Sequence, residues 1–532
     1  MATSVLVEPL SNPADIPSAI LASRSGRVCL LAVFALVAIA IEGYHPYAED
    51  GGLYAAGVQH LLDPALFPQW TAFVLAPMRV SEFAPLIAAL VRLTHLALPA
   101  ILLLIHGCSV FATLLSGYGI ATVCWSSMRA RFGAVLLLAC WLGLPVAGTS
   151  LVLMDPYVTA RSFSTPCMLL ALFAVLRLTT EPTPRRRLLW LAVCVGALGF
   201  GTLMHPLMAG YGIAAVCLLA CIRARSRSAR LRGILCCCAA ALLLAAALEH
   251  LAPPESPAYV AAALSRTYWF PGEWHWYELA GLAAPLLLLG LGSGTRLARL
   301  RSASASLAAS SAAEALAQMA VLLGTTAILV CVLYVRPDAT SHLVARLQPL
   351  RAFQIVYFVL ILRLGALLGT HLLDRGILRP ALAVLLLGGP IFAGDRATFP
   401  STPHIQLSAE RDANPWVQSF EWARSNTPKD ALFALDPDYI HAPGEDAQCF
   451  RAIALRSALP DYSKDGGEAS ITPQLADLWQ AGLRAQQSLS SRASSTRRLR
   501  ALGVSWVILR ASEPTDLACP FSNYAAKVCR IS

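Results

Sequence analysis

Charged residues are scarce in this chain. Asp, Glu, Lys and Arg make up 14% of its 532 residues, whereas hydrophobic residues make up 57%. A soluble globular domain carries about 25% charged residues, so this shortage argues against a soluble fold and predicts many membrane spans. The chain also has no basic stripe interleaved with aromatic residues, and we expect no nucleic-acid partner in spite of the net charge of +10.

Several chemical sequence motifs are missing as well. The chain has no Walker A loop, no GxGxxG between a strand and a helix, no GxSxG, no HExxH and no CxxC. Nucleotide chemistry in the cytoplasm and a cysteine zinc site are therefore unsupported. The chain also has no internal repeat. Because internal repeats are typical of transporters, this absence argues against a transporter.

Most of the fifteen cysteines lie in apolar runs, as Cys236 to Cys238 do, and there a thiol packs like a small hydrophobic group. Cys449, Cys519 and Cys529 lie instead in the polar tail. If that tail is outside the cytoplasm, two of these cysteines can form a disulfide. Cys519 and Cys529 are the favoured pair, because their ten-residue separation can close a short loop.

Long apolar runs recur along most of the chain, and a bilayer span needs about 20 mostly apolar residues. The first run contains Ala38-Ile39-Ala40, which resembles a signal-peptidase site, but the stretch before the run is unusually long for a signal peptide. We predict eleven transmembrane helices, at residues 27–44, 98–125, 132–150, 164–180, 188–204, 207–222, 232–249, 278–294, 314–335, 351–372 and 379–394.

Arginines cluster in the short loops between these runs. If residues 1–26 are cytoplasmic, every cluster falls on the cytoplasmic side, as the positive-inside rule requires. The clusters are Arg129 and Arg131; Arg185, Arg186 and Arg187; Arg223, Arg225, Arg227, Arg230 and Arg232; and Arg296, Arg299 and Arg301. The segments left outside are loops 45–97, 150–163, 205–206, 250–277 and 336–350 and the tail from residue 395.

The composition changes near residue 400, where charged and polar residues return. Strand-like runs at 431–436 and 504–509 alternate with helical stretches near 473–487 and 492–502. We predict that residues 27–394 form the transmembrane domain and that 395–532 form a small α/β domain outside the membrane.

The first outside loop carries two adjacent acidic residues, Glu49 and Asp50, in the stretch "YAEDGG". Neighbouring carboxylates repel each other, so such a pair is favourable where it holds a divalent cation or receives a proton. The alternative is structural, with the pair capping a helix that begins near Leu53.

The second outside loop contains Asp155 and, six residues later, Arg161. Asp155 followed by Pro156 is an ordinary helix start, with the aspartate as N-cap. Both residues would nevertheless lie at the outer membrane surface, where an arginine suits a lipid phosphate. The two interpretations remain open.

Further candidates lie in the remaining outside loops. His205 precedes Pro206 and is also consistent with a tight turn. Arg266 lies in the aromatic stretch 264–278, which is either an interfacial aromatic belt or a surface that stacks on sugar rings. Arg346 and Arg351 lie outside, against the positive-inside preference, and phosphate binding explains that placement.

These features together resemble the GT-C class of integral-membrane glycosyltransferases, which use polyprenyl-phosphate sugars. The shared features are the many spans, the acidic pair soon after the first span and the tail outside the membrane. "NTPKDALFALDPDY" (426–439) and "FRAIALRSALPDYSKDG" (450–466) also resemble tails of bacterial membrane proteins related to this class. A strict DxD in the first loop and a WWDxG-like tail motif are absent.

The resemblance implies a GT-C-like fold and a sugar transfer on the periplasmic face of a bacterial inner membrane, to an envelope acceptor that the sequence does not identify. Asp50 or Glu49 would be catalytic, and Asp155, Arg161, His205, Arg266, Arg346 and Arg351 would bind the substrate and its lipid phosphate. Glu49, Asp50 and Asp155 would be the ligands of a divalent cation, Mg²⁺ or Mn²⁺. The alternative from another class is a transporter or a lipid-handling envelope protein without catalysis.

Overall fold

The computed structural model describes residues 23–294, 307–373, 378–407, 414–487, 489 and 492–531. Arg296, Arg299 and Arg301 of the last arginine cluster lie outside these residues. The described chain is mostly helical, with a small sheet near its C-terminus.

Each of the eleven predicted spans contains a helix. These helices are α1 (Arg24–Glu42), α5 (Leu98–Cys124), α6 (Met128–Cys140), α7 (Arg161–Thr180), α8 (Pro184–Met204), α9 (Pro206–Ile222), α10 (Arg227–Leu251), α12 (Trp276–Gly294), α13 (Leu307–Tyr334), α15 (Phe353–Leu372) and α16 (Leu378–Thr398). Shorter helices lie between them: α2 (Glu49–Leu62), α3 (Thr71–Leu75), α4 (Phe83–Thr94), α11 (Pro257–Leu264) and α14 (Leu343–Arg346).

Fewer than eleven of these helices meet the length and hydropathy expected of a membrane span. Among the described residues, eight helices are long and apolar enough to cross a membrane, or nine if the bent pair Thr71–Arg79 and Phe83–Thr94 is counted as one span. Helices α9 and α12 are apolar but shorter, and α6 ends at Cys140, ten residues before the predicted end at 150. The chain is thus a multi-pass membrane protein, and the count of eleven is not confirmed.

Helix α1 is part of the packed bundle. Leu31, Ala35 and Ala38 are buried against the hydrophobic core. The helix ends at Gly43, whose φ of +81° places it in the left-handed region that favours glycine.

Residues 414–531, here called the C-terminal segment, form a five-stranded sheet with helices around it. The strands are β1 (Leu432–Ala434), β2 (Ser457–Ala458), β3 (Trp506–Arg510), β4 (Ala518–Ser522) and β5 (Ala526–Arg530), in the order β2-β1-β3-β5-β4. The first three run parallel, whereas β5 is antiparallel to β3 and β4. The helices are α17 (Pro415–Asn426), α18 (Phe450–Ala454), α19 (Lys464–Ile471), α20 (Ala476–Gln486) and α21 (Arg492–Ala501).

The predicted disulfide is present. Cys519 on β4 is bonded to Cys529 on β5, and Cys449 is a free, buried thiol. The bridge joins two neighbouring antiparallel strands, which is the short loop that the ten-residue spacing predicted.

The C-terminal segment packs directly on the loop after α1. The Glu49 N–H donates to the Ala447 carbonyl at 2.8 Å, and the Cys449 N–H donates to the Tyr47 carbonyl at 2.9 Å. A Cβ on Gly52 would lie 2.1 Å from the Cys449 Cβ, so only glycine allows this close approach. This contact brings residues from the two ends of the chain to one place.

Candidate active site

One large cavity lies between the helical bundle and the C-terminal segment, with a volume of about 1770 Å³. All eight residues singled out from the sequence line it, although they come from five separate loops. They are Glu49, Asp50, Asp155, Arg161, His205, Arg266, Arg346 and Arg351.

The acidic pair begins helix α2. Glu49 is the first residue of the helix, with φ +51°, and Ala48 occupies the N-cap position without a side-chain hydrogen bond. The pair therefore does not cap a helix near Leu53, but the helix-dipole part of the structural alternative holds. Both carboxylates lie in the first turn, where the helix dipole favours negative charge, and both face the cavity.

Arg161 connects the two outside loops. Its Nε and Nη2 donate to Asp155 Oδ2 and Oδ1, both at 3.0 Å, and Nη2 also donates to Asp50 Oδ2 at 3.2 Å. Asp155 is not an N-cap, because α7 begins at Arg161 and Ala160 precedes it. Two carboxylates that are 105 residues apart in sequence thus share one guanidinium.

Lys464 of α19 also contacts the acidic pair. Its Nζ forms an ion pair with Glu49 and lies 3.4 Å from Asp50 Oδ1. Burial alone would raise the pKa of Asp50, but the charges of Lys464, Arg161 and Arg351 outweigh burial and hold that pKa below its ordinary value. Asp50 is therefore ionised throughout the physiological range.

Arg351 and His205 complete the polar wall. The Arg351 Nε is buried and has no hydrogen-bond partner among the residues that the structure describes. Burial, with Arg161 and Arg351 close by, lowers the pKa of His205 to about 3, so its ring is neutral. The His205 Nδ1 accepts from the Met208 N–H at 3.5 Å and caps α9, which agrees with the predicted turn before Pro206.

Arg266 and Arg346 face the cavity, but their guanidinium groups form hydrogen bonds with the C-terminal segment. The Arg266 guanidinium donates to the carbonyls of Ser463 at 2.6 Å and Tyr462 at 2.8 Å, and it lies over the Tyr462 ring. Arg346 Nη1 donates to the Ile471 carbonyl at 3.4 Å. These arginines fix the two ends of α19, the helix that carries Lys464.

The aromatic stretch around Arg266 is divided between two environments. Trp269, Phe270 and Trp274 are buried, whereas Trp276 is 79% exposed and Tyr277 is 57% exposed. The exposed pair at the start of α12 suits the interfacial-belt interpretation.

Sequence reasoning missed Lys464, Glu468 and Glu42. Lys464 and Glu468 lie on one face of α19 in a polar stretch where charged residues are ordinary, so nothing in the local sequence distinguishes them. Burial, followed by the charges of Asp50 and Asp465, raises the pKa of Glu468 to about 8. Glu42 ends α1 and is 3% exposed, and neither carboxylate oxygen has a hydrogen-bond partner in the described part of the chain.

The rest of the cavity wall is apolar. It is lined by spans α9, α10 and α13, through Leu207, Ile213, Ala214, Leu218, Ala241, Leu244, Leu248, Leu323, Ala327 and Val330. Ile213 and Leu244 are exposed as well as lining the cavity. The cavity therefore joins a cationic polar end to a surface made by membrane helices.

The predicted metal ligands do not fit a divalent cation as they are arranged. Arg161 already binds Asp155 and Asp50, and Lys464 already binds Glu49 and Asp50, so a metal would have to displace these cations. Among the described residues, the group that could hold a metal ion is a different one, His45, Asp395 and His404.

No protein-family model matches the chain, and no curated protein sequence matches it. Among the solved structures that match is an oligosaccharyltransferase from Archaeoglobus fulgidus in complex with zinc and sulfate, at 12% identity and a TM-score of 0.42, over 91% of this chain and 68% of that chain. ArnT from Cupriavidus metallidurans in the apo state also matches, at 13% identity and a TM-score of 0.35, over 96% and 98%. Both are GT-C glycosyltransferases, the class that the sequence resembles. At these identities and scores, neither structure assigns an activity or a site residue to this chain.

Proposed function

We propose that this protein is a membrane glycosyltransferase that transfers a sugar from a polyprenyl-phosphate donor to an acceptor on the outer face of a bacterial inner membrane. The observation that supports this proposal best is the character of the cavity. It combines the acidic pair, an arginine with a nitrogen that has no partner among the described residues, and a long apolar wall. A lipid-linked sugar phosphate has parts that suit these features in turn, namely a sugar, a phosphate and an apolar prenyl chain.

The donor phosphate would bind beside Arg351. The Arg351 Nε has no partner in the described structure, and a phosphate oxygen supplies the missing acceptor. Arg161 lies on the same wall and adds positive charge. The prenyl chain would follow the apolar side chains of α9 and α10, where Ile213 and Leu244 reach the lipid-facing surface.

Asp50 would orient the acceptor hydroxyl and take its proton. The acceptor oxygen forms a bond to the anomeric carbon, the bond from that carbon to the phosphate oxygen breaks, and the phosphate leaves with the electron pair. Because its pKa is low, Asp50 is a weak base that receives the proton late, when the new bond has made the hydroxyl acidic. The arginines stabilise the departing phosphate, so position and charge carry most of the catalysis.

Lys464 would hold the acidic pair in place and keep Asp50 ionised. It neutralises part of the charge of Glu49 and Asp50, which lets two carboxylates lie side by side at the cavity wall. Arg266 and Arg346, by fixing α19, would position Lys464. No step in this mechanism requires a metal at the acidic residues.

Donor binding can be tested apart from chemistry. Native mass spectrometry in detergent would measure binding of undecaprenyl phosphate to the purified chain and to Arg351→Gln. We expect a loss of roughly tenfold or more for Arg351→Gln, because a charged hydrogen bond contributes about 1.5–3 kcal/mol. Arg500→Gln, an exposed arginine of the C-terminal segment, is the matched control and should bind like the wild type.

Equal binding by the wild type and Arg351→Gln would contradict the proposed phosphate site. Tight lipid binding without sugar transfer to any envelope acceptor would favour the lipid-handling alternative.

A further inference from the structure

A second polar cluster lies at the edge of the cavity, away from the acidic pair. It consists of His45 in the loop after α1, Asp395 near the end of α16 and His404 in the connection to the C-terminal segment. His45 is fully buried, and the side chains of Asp395 and His404 are 7% and 17% exposed. One potential ligand atom from each lies within 4.8 Å of the others.

The hydrogen bonds of His404 define which of its nitrogens is free. Its Nε2 lies 2.9 Å from the Ala40 carbonyl, which can only accept, so Nε2 carries a hydrogen. The other nitrogen, Nδ1, lies 2.7 Å from Asp395 Oδ2, so a cation, either a proton or a metal ion, must lie with these two atoms. Histidine ligands of metals commonly donate their other N–H to a backbone carbonyl, as His404 does.

The contact of His45 with Asp395, unlike that of His404, is longer than a charge-assisted hydrogen bond. Its Nε2 lies 3.3 Å from Asp395 Oδ1 and 3.5 Å from Oδ2. Charge-assisted N–H···O bonds are shorter, about 2.7–2.9 Å. Ligand atoms of a tetrahedral zinc ion, with bonds of about 2.0–2.2 Å, are roughly 3.3–3.5 Å apart, which matches the spacing of His45 and Asp395.

Two aromatic rings and a glycine pack closely around the cluster. The His45 ring stacks on Phe399 at 4.1 Å, and Phe392 packs edge-on against His404 at 4.6 Å. A Cβ on Gly43 would lie 2.9 Å from Asp395 Oδ2 and 3.0 Å from His45 Nε2, so Gly43 leaves space beside the ligand atoms. The His45 Nδ1 has no partner in the described part of the chain.

We infer that His45, Asp395 and His404 bind one Zn²⁺ ion, with a fourth position open to water or to a group in the cavity. Two imidazoles and one carboxylate are a ligand set that zinc prefers, whereas Mg²⁺ and Ca²⁺ prefer oxygen ligands alone. The ion would join the first loop, the last span and the connection to the C-terminal segment. His45 is four residues before Glu49, so the ion would also fix the start of the acidic loop.

Zinc content provides the direct test. The full chain would be purified in detergent, stripped with a chelator, supplied with Zn²⁺, desalted and analysed by elemental mass spectrometry. We expect about one zinc per chain for the wild type. His45→Ala, Asp395→Asn and His404→Ala should each weaken zinc binding by more than about 100-fold, because a direct ligand contributes more than an outer partner does.

Two controls locate the ion. His441→Ala removes an exposed histidine that also pairs with an aspartate, Asp438, and should keep the zinc. The double variant Glu49→Gln, Asp50→Asn should keep it too, which separates this site from the proposed catalytic site. If a ligand variant fails to fold, Co²⁺ in the wild-type chain still gives a test, because a tetrahedral site produces characteristic visible absorption.

A folded wild-type chain that takes up neither Zn²⁺ nor Co²⁺ would overturn the inference, and the two histidines would then only be hydrogen-bonding partners of Asp395. Zinc retained in both His45→Ala and His404→Ala would overturn it as well, because the metal would then lie elsewhere.

Discussion

Arg161 should contribute strongly to stability because it neutralises two carboxylates in a buried position. Its side chain is 10% exposed, and that of Asp155 is 5% exposed. Arg161→Gln would leave Asp155 buried without its two charged hydrogen bonds. Removing one partner of a buried ion pair costs about 3–5 kcal/mol, so we expect a loss of that size in the free energy of unfolding.

Substituting Asp155, the partner of Arg161, distinguishes the interaction energy of this pair from the contribution of the surrounding residues. Asp155→Asn should cost less, about 1.5–3 kcal/mol, because Arg161 keeps its contact with Asp50. In the double variant Arg161→Gln, Asp155→Asn, no unpaired charge remains between these two positions. Its loss should therefore fall short of the sum of the single losses by about 1–3 kcal/mol.

Equilibrium unfolding in mixed detergent micelles would measure all three free energies. Lys429→Gln is the control, since Lys429 pairs with Asp63 at 3.6 Å and both side chains are exposed, by 70% and 44%. An exposed pair contributes only about 0–1 kcal/mol. Additive losses within about 0.5 kcal/mol, or an Arg161→Gln loss no larger than the control, would refute the reasoning.

Three further predictions follow from other parts of the molecule. Thiol labelling of the denatured chain should modify Cys519 and Cys529 only after reduction, whereas Cys449 should react in both conditions; equal labelling of all three without reductant would contradict the bridge. Reporter fusions after residues 130, 187 and 228 should be cytoplasmic and a C-terminal fusion periplasmic, and a cytoplasmic C-terminus would contradict the proposed orientation. The folded chain keeps a proton on Glu468 up to about pH 8, while the unfolded chain loses it near its ordinary pKa, so this residue makes stability fall as pH rises between those values. Thermal unfolding of Glu468→Gln should depend less on pH between 5 and 8 than the wild type does, and equal slopes would contradict this role.

Much of the candidate site could be predicted because its charged residues lie beside membrane-spanning runs, where charged residues are disfavoured. Ionisable groups such as Asp155 and Arg351 are costly beside apolar runs, so each is visible in the sequence without knowledge of the fold. Lys464 gives no such signal, because lysine is ordinary in a polar segment. Its role depends on α19 reaching the acidic pair, a contact across 414 residues.

The local reasoning was least successful where tertiary contacts decide the backbone. Helix capping was the structural alternative for Asp50 and Asp155, yet α2 begins at Glu49, whose N–H bonds to Ala447, and α7 begins only at Arg161. Both aspartates bind cations instead of helix N–H groups. The His45, Asp395 and His404 cluster was not predicted at all, because His45 is 350 residues before Asp395 and the three residues carry no motif spacing.

Sugar transfer by Asp50→Asn tests the central proposal most directly. The substitution keeps the size of the side chain, and since Asp50 is not the helix cap, no cap is lost. It removes the charge that would accept the proton, so membranes with matched expression should lose transfer from a polyprenyl-phosphate sugar by about 100-fold or more. Asp438→Asn, an exposed aspartate of the C-terminal segment, should transfer like the wild type. Full activity in the double variant Glu49→Gln, Asp50→Asn would contradict a catalytic role for the acidic pair.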